Sequence, residues 1–183
     1  LDVQSFINTQ PLSRYQWGVV ILCFQIVFLD GLDTAAMGFI APALSQDWGI
    51  DRASLGPVMS AALIGMVFGA LGSGPLADRF GRKVVLVGAV LVFGGFSLAS
   101  AYSTNVDQLL VLRFLTGLGL GAGMPNATTL LSEYTPERHK SLLVTSMFCG
   151  FNLGMAGGGF ISAKLIPMYG WHSLLLIGGI LPL

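Results

Sequence analysis

The ten residues from Gly74 to Lys83 read Gly-Pro-Leu-Ala-Asp-Arg-Phe-Gly-Arg-Lys, and they form a charged interruption between two long apolar runs. Glycines allow a tight turn there, and three basic side chains hold such a loop on the cytoplasmic side of a membrane. A loop that only sets orientation would explain the basic residues. It would explain neither the placement of the glycines nor Asp78, which can favour a nearby helix N-terminus. The stretch therefore predicts a short cytoplasmic connection with a function of its own.

The composition around this loop is that of a membrane protein. Of the 183 residues, 54% are hydrophobic and only 10% are charged, so a soluble fold would have too little polar surface to expose. Nine basic and nine acidic residues give a formal net charge of zero, which argues against a nucleic-acid partner. Cys23 and Cys149 lie in apolar runs without metal-ligand or redox spacing, and we expect no metal. The partner that the composition implies is the lipid bilayer.

A transmembrane helix needs about 20 mostly apolar residues to cross about 30 Å of hydrocarbon. Five runs meet this length, and all should be α-helical because hydrocarbon offers no partner for open backbone groups. A sixth run provides only about 18 Å of helix before Leu183, so we expect the fold to be truncated within helix 6 and the protein to continue. No signal-peptide pattern precedes the first run, which should remain in the mature protein. The predicted spans are residues 17–43, 55–77, 84–102, 106–131, 141–166 and, incomplete, 171–183.

The basic residues predict how these spans are oriented. Six of them fall in the N-terminal segment and in alternate connections, against two on the other side. Because positively charged loops stay in the cytoplasm, residues 1–16 are predicted to be a cytoplasmic N-terminal segment. The six are Arg14, Arg79, Arg82, Lys83, Arg138 and Lys140, and the two are Arg52 and Lys164.

Glycines repeat at a four-residue spacing in three of the spans. This spacing lets helix backbones approach closely, so we expect most glycines to be packing residues. Three consecutive glycines at 157–159 could pack in the same way or form a hinge. The spaced pairs are Gly65 with Gly69, Gly117 with Gly121, and Gly150 with Gly154.

Two acids, Asp30 and Asp33, lie deep within the first span. An acid near the middle of a membrane helix costs about 2.5 to 3.5 kcal/mol on insertion scales, so two of them require an explanation. Three residues apart, they share a helix face, and we expect the pair to hold a proton jointly and to couple transport to protons. The alternative is a helix break at Asp30 and Gly31 that reaches an external vestibule.

Arg113, in the fourth span, lies at the depth of these acids. Asp30 is about 20 Å from the inner face and Arg113 about 10 Å from the outer face of a core of about 30 Å. The three would form a cluster of charge near −1, and we hypothesise that Arg113 alternates between the acids and a substrate carboxylate. A structural arginine that pairs with the backbone or with one aspartate is the alternative. Asn126 and Asn152 also lie within spans and could face a cavity or bond between helices.

The loop from Gly74 to Lys83 resembles, over its full length, the signature of the major facilitator superfamily. Arg113 followed by glycines at 117, 119 and 121 resembles a second stretch of that family, and Glu133 with Pro136 and Arg138 resembles a third. The resemblance implies the major facilitator fold of twelve helices in two halves. This chain would be the N-terminal six-helix half, a 3+3 inverted repeat, with the C-terminal half absent.

The same resemblance implies gating functions on the cytoplasmic side. Glu133 and Arg138 would be partners of the loop, and Glu133 is predicted to pair with Arg82 and lock one state of the carrier. A solvated Glu133 is the alternative. The gating residues implied within the loop are Gly74, Asp78, Arg79, Gly81, Arg82 and Lys83.

The Asp-Gly-x-Asp sequence at Asp30, taken with the complete loop, is similar to the aromatic acid:proton symporter branch of the superfamily. That branch implies import of an aromatic carboxylate, such as 4-hydroxybenzoate or protocatechuate, across a bacterial inner membrane for catabolism. Transport would proceed by alternating access and be driven by the proton gradient, with no enzymatic reaction and no cofactor. An uncoupled facilitator and a membrane-embedded sensor of the same fold are the alternatives.

Overall fold

The computed structural model describes residues 13–183, which form six α-helices, one short 3₁₀ helix and no strand. The predicted all-α fold is confirmed, while residues 1–12 of the predicted N-terminal segment lie outside the described residues. The helices are α1 Arg14–Trp48, α2 Gly56–Phe80, α3 Arg82–Ser100, α4 Val106–Tyr134, α5 Glu137–Tyr169 and α6 His172–Ile180, with the 3₁₀ helix Arg52–Leu55 before α2.

Capping groups, rather than the limits of the apolar runs, set the ends of α1. The Ser13 hydroxyl accepts a hydrogen bond from the Gln16 amide, and the Gln16 side chain accepts one from the Ser13 amide. This capping box starts α1 at Arg14, before the predicted Trp17. At the other end the helix continues to Trp48, where Gly49 with φ 63° closes it. Residues 14–16, which were predicted to precede the first span, therefore belong to α1.

The connection between α2 and α3 consists of Gly81 alone. Its φ of 86° is one that favours glycine, and both helices continue directly up to it. The predicted spans left residues 78–83 as the connection, and the structure shortens it to Gly81 because both helices extend further than the apolar runs. Gly74 lies inside α2, where an added Cβ would meet nothing within 4 Å, and Arg82 and Lys83 already open α3. The loop motif thus holds two helices at one sharp corner.

Glycines bring the helices together in two extended pairs, α2 against α4 and α1 against α5. A Cβ on Gly65 would overlap the carbonyl oxygen of Phe114, and a Cβ on Gly117 would overlap that of Ala62. The predicted role of the spaced glycines in close helix packing is confirmed. The glycines at 157–159 lie within the continuous helix α5 and face α1, which favours packing over a hinge. The other glycines in such backbone contacts are Gly31, Gly69, Gly121, Gly150 and Gly154.

The pairing of the helices follows the 3+3 inverted repeat. In such a repeat α1 corresponds to α4 and α2 to α5, so the α1–α5 pair is the image of the α4–α2 pair. Helix α3 packs against α4 and α6. Helices α1 to α5 are long and apolar enough to cross a membrane, and the chain is a multi-pass membrane protein.

The buried core is divided along α1 into two large apolar clusters. One cluster includes Val20 to Val27, in the N-terminal half of α1, and the other includes Ala36 to Leu44, in its C-terminal half. Between them, with a small apolar cluster at Leu29, α1 carries two buried acids. The fold therefore places its buried charges in one layer between two apolar regions.

Candidate functional site

A buried ion pair joins α1 to α4 at the centre of this layer. Arg113 donates from one guanidinium nitrogen to Oδ2 of Asp33 at 2.8 Å and from the other to Oδ1 at 3.1 Å. Both side chains are only 1% exposed. A guanidinium and a carboxylate match in this two-point geometry, and each removes the cost of burying the other charge alone. We call Asp30, Asp33 and Arg113 the charged layer.

Ser97 on α3 is a third donor to Asp33. Its hydroxyl is fully buried and donates to Oδ1 at 3.3 Å, so three donors surround this carboxylate. Helix α6 also lies close, because a Cβ on Gly178 would be 3.6 Å from the Ser97 hydroxyl. Sequence reasoning missed Ser97, since a lone serine in an apolar run is commonly bonded to its own helix.

Asp30 occupies a different environment from Asp33. Its side chain is 3% exposed, and its one hydrogen bond within residues 13–183 comes from the Thr34 hydroxyl at 3.4 Å. Arg113 pairs with Asp33 and not with Asp30, which is the arrangement of the alternative in which the arginine pairs with one aspartate. Positions three apart on a helix point about 60° away from each other, so one guanidinium fork engages one carboxylate. The helix is continuous through Asp30 and Gly31, which excludes the proposed helix break.

The formal charges of the layer do not balance. Two carboxylates and one guanidinium leave one negative charge when all three are ionised, and that surplus belongs to Asp30, which has no cationic partner among the described residues. The Nε of Arg113 is buried and has no hydrogen-bond partner within residues 13–183. The layer therefore retains both an unbalanced acid and an unused donor.

A second ion pair lies at the end of the bundle where α1 begins, which is the end predicted to face the cytoplasm. Arg82 Nε on α3 is 2.7 Å from Glu133 Oε1 on α4, and these side chains are 36% and 49% exposed. The pair predicted between these two residues is therefore present, and Glu133 is not free in solvent. Gln16 also donates to the Tyr134 carbonyl at 2.8 Å, which ties the start of α1 to the end of α4.

The other candidate residues at this end are exposed. Asp78 lies near the end of α2, not at a helix N-terminus, and its side chain makes no hydrogen bond or ion pair with any residue of the described range. The guanidinium of Arg79 lies 5.3 Å from the ring centre of Phe80. Lys83 and Arg138 are exposed in the first turns of α3 and α5. These side chains present a charged surface.

The two asparagines differ in position. Asn126 is buried, and its amide donates to the carbonyl of Ala122 in its own helix at 2.8 Å, so it does not bond between helices. Asn152 is exposed on α5. Of the two, Asn152 alone is open to a cavity or partner. In the part of the chain that the structure describes, no three His, Cys, Asp or Glu residues group as a metal site.

One cavity, of about 730 Å³, is not lined by any residue of the charged layer. It lies between α1, α3 and the end of α4, with Arg14, Lys83 and Tyr134 among its lining residues. A cavity of about 10 Å³ adjoins Asp30, and its other lining residues are apolar. The charges, rather than the size of a pocket, mark the candidate site.

Comparison with known proteins identifies the family of the chain. The sequence model described as Major Facilitator Superfamily matches residues 23–183. The chain is 93% identical over its full length to the 4-hydroxybenzoate transporter PcaK of Pseudomonas putida, and 57% identical over its full length to a gallate transporter of the same species. It spans only 41% of the length of each.

A solved structure shows the same fold. The proton:xylose symporter XylE, known from E. coli, superimposes with a TM-score of 0.79 at 21% identity, over 94% of this chain and 43% of that one. At this identity the likeness concerns the fold alone. The named relatives are transporters, which agrees with the expectation that the chain is not part of an enzyme.

Proposed function

We propose that this chain, which belongs to the Major Facilitator Superfamily, is the N-terminal half of a transporter that imports an aromatic carboxylate together with protons. A relative at 93% identity is named for transport of 4-hydroxybenzoate, and another at 57% is named for gallate, both aromatic acids. Protocatechuate is also an aromatic carboxylate. Because the chain spans 41% of these relatives, the activity assigned is that of the full-length protein.

The observation that carries this proposal is the unbalanced charge beside a buried arginine. A guanidinium is the preferred partner for a carboxylate, and Arg113 already holds one in Asp33. If a substrate carboxylate competes for Arg113, three negative charges share one positive charge in a low-dielectric layer. Protonation of Asp30 and of the displaced Asp33 removes the excess, so substrate and protons would bind together. The proton gradient then drives alternating access without any other cofactor.

The cytoplasmic ion pair serves as the gate in this proposal. Arg82 and Glu133 are partly exposed, so water can replace each partner when the pair opens. The loop residues Gly74, Asp78, Arg79, Gly81 and Lys83, together with Arg138, would change their contacts with the second half in the same transition. The predicted orientation places this end in the cytoplasm and the protein in the bacterial inner membrane.

The test uses the full-length protein in proteoliposomes with labelled 4-hydroxybenzoate. Asp30→Asn removes the unbalanced charge, and we expect it to abolish accumulation against a gradient while substrate exchange between the two sides continues. Asp107→Asn is the matched control, because it removes an exposed acid in the first turn of α4, away from the charged layer.

Each alternative function predicts a different result. Unchanged accumulation in Asp30→Asn would contradict proton coupling through this residue and favour an uncoupled facilitator. Binding of 4-hydroxybenzoate by the wild-type protein without any transport would favour a sensor.

A further inference from the structure

Asp30 is buried, yet the proposed function requires it to exchange protons with water. Its side chain is 3% exposed, and α1 continues without a break on either side. The small cavity beside it, of about 10 Å³, is lined otherwise by apolar residues and is at or below the size that holds one water molecule. Protons therefore need a polar group that leads from Asp30 to an exposed surface.

Thr34 is the described side chain that meets this requirement. Its hydroxyl donates to Oδ1 of Asp30 at 3.4 Å, and the residue itself is exposed. One helical turn separates the two positions, so they lie on the same face of α1. Asp33 offers no such route while Arg113 holds it, because its carboxylate is then surrounded by donors from Arg113 and Ser97.

We propose that the Thr34 hydroxyl relays protons between water on the exposed face of α1 and the carboxylate of Asp30. This inference rests on the proposed function, in which that face borders the substrate cavity of the full-length protein. A hydroxyl can accept one proton while it donates another. A hydronium ion in the cavity donates a proton to Oγ1 and becomes water, the original hydroxyl proton moves to Oδ1 of Asp30, and rotation about the Cβ–Oγ1 bond restores the hydroxyl. One proton enters, one carboxyl O–H bond forms, and Thr34 is unchanged.

The charges around Asp30 favour transfer by this route. Asp33 on the same helix is neutralised by Arg113 of α4, and the residues of α3 and α4 that line the cavity at Asp30 are not ionisable. No base other than Asp30 lines this cavity, and Asp33 is already paired with Arg113. No described residue at the cavity therefore competes with Asp30 for the proton.

The experiment compares net uptake with exchange in the full-length protein in proteoliposomes. Thr34→Val keeps the shape of the side chain and removes the hydroxyl, while Thr34→Ser retains the hydroxyl. We expect Thr34→Val to slow proton-driven uptake of labelled 4-hydroxybenzoate by about a hundredfold, at the lower end of the usual contribution of a positioned proton-transfer group. Exchange, which needs no release of the proton, should stay near wild type and shows that the protein is folded. Thr34→Ser should restore uptake.

The matched control is Thr129→Val, which removes the hydroxyl of a half-buried threonine that donates to the Pro125 carbonyl of its own helix. It should leave uptake and exchange unchanged. The relay is overturned if Thr34→Val takes up substrate like wild type while Asp30→Asn does not, and also if uptake and exchange fall together. If the Asp30→Asn variant itself accumulates substrate, proton coupling through Asp30 is contradicted, and with it the proposed function on which the relay rests.

Discussion

Two ion pairs of the same chemistry lie at the two levels of the bundle, and their shortest distances do not distinguish them. The Arg113–Asp33 distance is 2.8 Å and the Arg82–Glu133 distance is 2.7 Å. Their exposure differs, at 1% for both partners of the first and 36% and 49% for those of the second. A buried charge cannot be left alone, whereas an exposed one is solvated when its partner leaves. The buried pair therefore suits exchange of one carboxylate for another, and the exposed pair suits opening and closing.

The largest effect is expected when the buried pair is broken on one side. Arg113→Met leaves Asp33 as an uncompensated buried charge, which should lower the free energy of unfolding by about 3 to 5 kcal/mol. The measurement is the thermal or denaturant unfolding of the full-length protein in detergent. Arg113→Met combined with Asp33→Leu removes both charges and should recover most of the stability, but not transport. A double variant no more stable than the single one would contradict this account.

A smaller loss is expected when the third donor to Asp33 is removed. Ser97→Ala deletes one hydrogen bond to a charged group, which should reduce stability by about 1.5 kcal/mol because the contact is long. The matched control is Ser100→Ala on the same helix, where the hydroxyl donates to the Phe96 carbonyl instead. Equal losses in the two variants would show that the bond from Ser97 to Asp33 adds nothing.

The smallest effect on stability is expected at the Arg82–Glu133 pair. Glu133→Gln should change the free energy of unfolding by less than about 1 kcal/mol, because both partners are partly solvated. The difference from wild type should fade between about 0.01 M and about 1 M salt, where the Debye length falls from about 30 Å to about 3 Å. Unfolding curves at the two salt concentrations measure this. A loss of unfolding free energy above about 2 kcal/mol that persists in high salt would show that the Arg82–Glu133 pair behaves like the buried Arg113–Asp33 pair.

The Arg82–Glu133 pair should matter more for transport than for stability. A change of about 1 kcal/mol shifts a two-state equilibrium about fivefold, so Glu133→Gln should alter the ratio of inward-open to outward-open protein despite its small effect on stability. Accessibility of single cysteines introduced on the two sides of the full-length protein measures that ratio. An unchanged ratio would remove Glu133 from the gate.

Much of the fold could be read along the chain because each of its determinants is local. Hydropathy located the spans, whereas the start of α1 is set by the capping box of Ser13 and Gln16, which lies within four consecutive residues. The glycines at 65, 69, 117 and 121 predicted close packing, since only a missing Cβ lets a neighbouring carbonyl approach. The Arg82–Glu133 pair followed from two motifs at the same side of the membrane.

The candidate site was predictable in composition but not in connectivity. The sequence by itself determined that two acids and an arginine occupy the same depth, because an α-helix rises by a fixed distance per residue. Only the tertiary structure decided that Arg113 pairs with Asp33, that Ser97 completes this pairing, and that Asp30 is left to Thr34. Depth is set by position along a helix, whereas the choice between two carboxylates depends on the rotation of α1 against α3 and α4, which packing between distant segments fixes.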